Sequence, residues 1–172
     1  MDATDLGLLV LRVVVGLIFA AHGAQKAFGW WGGPGPDRWR GAMVRMQFRP
    51  PAFWAWISTA AELAGGLLLA FGFLIPLATA ALVAQSIVII AIAHWAKGFW
   101  NMNGGFEFPL ALLAGVVSIA ATGPGRVSVD SYAALAYPDA LRIALFLIGA
   151  VAGAGSVLYS RQAAARETAE AR

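Results

Sequence analysis

From position 6 to position 28 the chain is almost wholly apolar. Only Arg12 interrupts it until His22, Gln25 and Lys26 arrive together. Four more apolar runs follow, at 52–74, 77–97, 106–122 and 138–159. Each has close to the roughly 20 residues that carry a helix across a bilayer. The pattern therefore predicts five apolar helices. The connections differ in kind. Positions 29–51 open with Trp30-Trp31-Gly32-Gly33-Pro34-Gly35-Pro36, through which no helix continues. Within that connection Trp39, Ala42, Met43 and Met46 recur at helical spacing, with Arg38, Arg45 and Arg49 elsewhere. This predicts a short amphipathic helix lying in the membrane interface, stopped by Pro50-Pro51. The second and third runs meet at Pro76 with almost no loop, which predicts a tight helical hairpin. After Tyr159 the chain turns polar and reads as a frayed helical tail.

Composition strengthens the membrane reading. Of 172 residues, 60% are hydrophobic and 12% charged, where a soluble domain is about a quarter charged. The first run is too long for the apolar core of a signal peptide and its flank is acidic (Asp2, Asp5), so it is expected to stay as a helix. With no cysteine, neither a disulfide nor a thiolate metal site is available, and no metal site is expected. The net charge of +3 is modest. Its cations flank apolar spans, which fits membrane orientation rather than nucleic-acid binding. In a five-span chain Lys26, Arg38, Arg40, Arg45, Arg49, Lys97, Arg161, Arg166 and Arg172 fall on one side. The other side has Arg126, with Arg12 and Arg142 near helix ends, where Arg12 can snorkel. The expected location is an inner (plasma) membrane, multi-pass, with the amino end outside and the carboxyl end cytoplasmic.

Five polar groups could carry chemistry: His22 with Gln25 and Lys26, Glu62, Gln85, His94 with Lys97, and Glu107 with Asn101 and Asn103. Positions 22, 25 and 26 share one helical face. A serpentine path brings the end of span one, the end of span three and the start of span four to one membrane face. His22, Lys26, His94, Lys97 and Glu107 are therefore expected to converge. Glu62 lies deeper, near the middle of span two. A charged side chain there costs about 2.5–3.5 kcal/mol or more, so Glu62 is expected to be protonated or paired with a cation or an imidazole. Each group also has a plainer reading. The two lysines can snorkel, the histidines can be packing residues, and Gln85 can be an interhelical hydrogen-bond partner. The tryptophans read chiefly as an aromatic belt.

His22-Gly-Ala-Gln25-Lys26 followed by Phe28-Gly29-Trp30 and Gly32-Gly33-Pro34-Gly35 resembles the first-helix signature of the DoxX family. Glu62-Leu-Ala-Gly65-Gly66 and its Leu-rich sequel resemble that family's second helix. His94 with Gly98-Phe99, then Gly104-Gly105-Phe-Glu107-Phe-Pro109, resembles its third-to-fourth connection, and Gly123-Pro124-Gly125-Arg126 with Asp130 its exit. The resemblance covers residues 6–130. It implies an all-α membrane protein with a four-helix transmembrane bundle over 1–130. The remainder adds a fifth apolar span over 131–160, which the family pattern does not require, and a polar tail over 161–172. Some members of the family are associated with quinone-linked oxidation of sulfur compounds, as in the small subunit of a thiosulfate:quinone oxidoreductase. Others are linked to oxidative-stress complexes with secreted partners.

The leading expectation is therefore a quinone-interacting component of a membrane oxidoreductase system. Its catalytic groups would be His22, Glu62, His94 and Glu107, with Gln25, Lys26, Gln85, Lys97 and Asn101 binding the cofactor. Quinone carbonyls need donors and reduction takes up protons, which histidine and carboxylate supply. Quinone is the expected cofactor, since two histidines alone are weak grounds for a haem. Electrons would come from a partner subunit or a diffusible reductant. The other readings are a non-enzymatic structural or assembly subunit and, last, a proton-linked carrier. Expected partners are the bilayer and either a partner subunit or further copies of the chain.

Overall fold

A computed structural model describes residues 2–170. Every regular element among them is helical: α1 (Ala3–Phe28), α2 (Gly35–Arg45), α3 (Pro51–Phe71), α4 (Ile75–Val88), α5 (Glu107–Thr122), α6 (Val129–Tyr132) and α7 (Asp139–Glu170). α4 does not stop at Val88. It runs on through a π-helical turn, Ile89–His94, and a 3-10 turn, Trp95–Lys97. By length and apolar composition α1, α3, the continuous helix Ile75–Lys97 and α7 can each cross a membrane. α5 is shorter. At 1.5 Å per residue its 16 residues reach about 24 Å, a little under a hydrocarbon core of about 30 Å.

The helix contacts close a ring: α1 on α3, α3 on α4, α4 on α5, and α5 back on α1. This is the four-helix bundle, and α7 stands outside it against α4. The core within the ring is Val15, Phe19, Leu69, Ile75, Leu82, Val83, Val116 and Ile119. Two seams let backbones approach closely. A Cβ on Gly16 would fall on Gly66 O and Ala70 N, and one on Gly23 would fall on the Leu63 backbone. On the other side of the bundle, Gly149 and Gly153 of α7 press on the backbone of Ala80 and Ala84. Small residues at such crossings are the usual means of helix association in lipid.

The α3–α4 hairpin is as tight as expected. α3 ends on Gly72 in the left-handed region, and α4 starts three residues later behind Leu74, also left-handed at φ 50°. Asp130 closes the corner. Its Oδ1 accepts from Leu74 N at 2.8 Å and its Oδ2 from Ile75 N at 3.0 Å, which caps α4 from a distant part of the chain. The link 123–130 folds inward to do this, and Arg12 Nη2 donates to Val127 O. Arg12 therefore does not snorkel to water. It is 3% exposed because the link comes down over it.

α2 differs from its expectation in what its apolar face covers. Trp39 and Met43, with Met46 and Phe48 just beyond, pack on Ala55, Trp54 and Val88 rather than into lipid. The reason lies underneath, where the buried head of Lys26 needs a roof. The polar tail is regular helix, since α7 runs unbroken to Glu170. Its end is tied back by Glu167 accepting from Gln47 Nε2 and Arg49 Nη2, and by Ser160 Oγ donating to Met46 O.

Candidate functional site

The α1–α3 seam sets the geometry of the site. The helices run antiparallel, so the close approach at Gly16–Gly66 and Gly23–Leu63 leads one turn further to Lys26 against Glu62 and Ser58. Lys26 Nζ lies 2.6 Å from Glu62 Oε1 and donates to Ser58 Oγ at 3.2 Å. From α4, Gln85 Nε2 donates to the same Glu62 Oε1 at 3.0 Å and to Ser58 Oγ at 2.8 Å. The Trp39 ring of α2 covers the ammonium, with its centroid 4.1 Å from Nζ, a distance at which the ring face attracts a cation. The Glu62 side chain is 2% exposed and that of Lys26 10%. Lys26 thus does not snorkel: it turns inward because Glu62 and Ser58 offer it the partners that hydrocarbon cannot. Glu62 is paired with a cation, one of the two states expected for it.

One atom in this network is left over. Glu62 Oε2 is buried and has no hydrogen-bond partner among the described residues. Glu62 also lines a cavity of about 120 Å³, shared with His22, His94, Phe19, Ser86 and Phe108. Both imidazoles on that wall are held in the same way. His22 Nδ1 lies 2.9 Å from Ile18 O, and His94 Nδ1 lies 2.7 Å from Gly104 O. A carbonyl only accepts, so each Nδ1 carries the hydrogen and each Nε2 is left to accept from, or when protonated donate to, something else. His94 closes the π turn of α4, and such turns recur at functional sites. Among the described residues no three His, Asp or Glu side chains gather closely enough to hold a metal ion.

The convergence expected of five groups is therefore narrower and deeper. His22 and His94 meet Glu62 at the cavity, and Lys26 and Gln85 stand behind Glu62. Lys97 is exposed, with its stem against Gly104. Glu107 turns back to the α4–α5 link and accepts from Asn101 N at 3.0 Å. Asn101 and Asn103 are exposed on that link. Gln25 is half-buried with its Cβ under Gly33, so it supports the turn after α1. These four of the proposed site positions organise the loops and do not line the cavity. Two features escaped the sequence reading. Ser58, one helical turn before Glu62, could have been found from its i, i+4 spacing. The π turn leaves no mark in the residues themselves.

Comparison with known proteins agrees with this architecture. The DoxX family model matches residues 7–95, a span that contains His22, Lys26, Ser58, Glu62, Gln85 and His94. "Uncharacterized membrane protein Rv3486" of Mycobacterium tuberculosis is 27% identical over 132 residues, covering 71% of this chain and 78% of the relative. "Putative oxidoreductase CatD" of Bacillus subtilis is 31% identical over 129 residues, covering 74% of this chain and 87% of the relative. No solved structure matches the chain. The chain is a multi-pass membrane protein and belongs to the DoxX family.

Proposed function

We propose that this protein is the quinone-interacting component of a membrane oxidoreductase system, with the cavity between α1, α3, α4 and α5 as the head-group site. The observation that carries the reading is the unpartnered Glu62 Oε2 on a cavity wall that also holds two imidazoles with their Nε2 atoms uncommitted. A cavity of about 120 Å³ has room for one flat ring or several waters. A quinone bound there supplies two carbonyl oxygens that accept hydrogen bonds, and it takes up two electrons and two protons on reduction. Protonated His22 or His94 donates from Nε2, and Glu62 donates once it holds a proton at Oε2. Phe19 and Phe108 give the ring apolar walls. The electrons come from outside this chain, from a partner protein that carries a redox group. The Bacillus relative carries the name "Putative oxidoreductase CatD", which supports the reaction class. In the same proposal the amino end lies outside an inner membrane and the carboxyl end in the cytoplasm.

The test uses decylubiquinone with protein purified in lipid. His22→Ala and His94→Ala leave the Lys26–Glu62 pair intact, so both are expected to fold. Each should weaken decylubiquinone binding at least tenfold, about 1.4 kcal/mol, while Leu77→Ala on the lipid face leaves it unchanged. Wild-type affinity in both histidine variants would remove the cavity from consideration as a quinone site.

A further inference from the structure

A second pocket, of about 200 Å³, lies on the other side of the same ion pair. It sits under α2 at the membrane face where α1 ends and α3 begins. Its wall includes Lys26, Asp37, Arg40, Trp39, Trp56 and Thr59. Asp37 and Arg40 are exposed, so this pocket meets water. The Glu62 cavity has none of these residues on its wall, and the pocket under α2 has none of the cavity's. Lys26 lines the pocket under α2, Glu62 lines the internal cavity, and 2.6 Å separates their charged atoms. The pair is thus a partition one contact thick between a wet pocket and an internal cavity. A purely structural ion pair needs neither a pocket on its cationic side nor a free oxygen on its anionic side.

We infer that Lys26 is the proton donor to Glu62, and that the pocket under α2 is the water-filled vestibule from which Lys26 is recharged. This rests on the reading of Glu62 as the group that protonates the cavity's occupant. The Lys26 ammonium gives one proton to Glu62 Oε1, leaving a neutral amine and a neutral carboxyl group. In a site of low dielectric a neutral pair competes closely with a charged one, because neither partner then has to be desolvated as an ion. Rotation of the carboxyl group about its last bond carries that proton to the cavity side. The acid gives it to the acceptor there, and Lys26 regains a proton from vestibule water. One proton crosses per cycle and both side chains return to their starting state. Ser58 and Gln85 hold the two heads in register throughout, since Ser58 Oγ accepts from both Lys26 and Gln85.

Two measurements test this. The chain has no cysteine, so each single replacement carries its only thiol. Thr59→Cys, on the vestibule wall, should react with a charged, water-borne methanethiosulfonate at least tenfold faster than Leu67→Cys, which faces lipid on the same helix. Equal rates would overturn the vestibule. The second measurement is Lys26→Arg, which keeps the charge but does not release a proton. It should bind decylubiquinone as the wild type does. With dithionite as the electron source, its bound quinone should then be reduced at least tenfold more slowly. Wild-type reduction by a folded Lys26→Arg protein would overturn the donor role. If the wild type binds no decylubiquinone, the quinone reading falls by itself. The thiol labelling needs no quinone and still decides for or against the vestibule.

Discussion

Asp130 and Glu62 are both acids buried to 2% exposure, and comparing them shows why only one reads as functional. Asp130 is fully used. Its two oxygens accept from Leu74 N, Ile75 N and the Tyr137 hydroxyl. Burial and the neighbouring Asp130 push the Tyr137 hydroxyl above its usual value of 10.0. The raised value means that this proton stabilises the fold below about pH 10 and is lost as the pH climbs past it. Glu62, by contrast, spends one oxygen twice and the other not at all. Asp130→Ala should remove a helix cap worth about 1 kcal/mol and leave two buried N–H groups unpaired at about 1–3 kcal/mol more. The unfolding midpoint in detergent should drop accordingly, and Asp130→Asn, which keeps one acceptor, should drop less. If Asp130→Ala unfolds with the wild type, the corner is held by something other than this carboxylate.

At the scale of helices, the Lys26–Glu62 distance is a product of the α1–α3 seam. The pair Gly65-Gly66 allows the point to be tested, because its two members meet different neighbours. A Cβ on Gly66 would lie within 2.6 Å of Gly16 O, in the backbone of α1, whereas one on Gly65 would meet side chains, Leu82 at 3.4 Å and Ala81 at 3.8 Å. Backbone has nowhere to go, so Gly66→Ala should push α1 off α3 and cost about 1–3 kcal/mol. Gly65→Ala should be close to neutral. Unfolding of the two variants side by side checks this, and a Gly66→Ala protein as stable as Gly65→Ala would mean that the seam is loose. The two glycines beside Glu62 were legible in the chain as a pair of small residues. Which glycine faced which helix was not, because one residue's shift around a helix is about 100° and periodicity in an all-apolar span does not record it. The same limit explains why Lys26 read as equally suited to the interface, since its partner Ser58 is an ordinary helix residue until the crossing is known.

For the whole molecule, the apolar runs predicted the first four long helices to within a few residues, whereas α7 runs on to Glu170, eleven residues past the end of its run at Tyr159. The serpentine order placed the helix ends as expected. What the runs could not show was how the links fold inward, and that bears on orientation. On the face with the amino end, three cations were counted: Arg12, Arg126 and Arg142. The structure ties two of them to backbone carbonyls. Arg12 donates to Val127 O and is buried, and Arg142 donates to the Ala120 and Ala121 carbonyls at the end of α5. Arg126 stays exposed. On the opposite face Arg38, Arg40, Arg45, Arg49, Lys97, Arg161 and Arg166 are all exposed. Lys26, counted on that face, is buried as well, so the described residues keep the imbalance of the sequence tally rather than enlarge it, and positive charge in short loops stays on the cytoplasmic side. A green fluorescent protein fused after the carboxyl end should light up, and an alkaline phosphatase fused there should be inactive. Val129→Cys, at the amino-end face, should react with an impermeant thiol reagent added outside intact cells. The reverse pattern would turn the molecule over. The vestibule under α2 would then draw its protons from the outer side of the membrane instead of the cytoplasm.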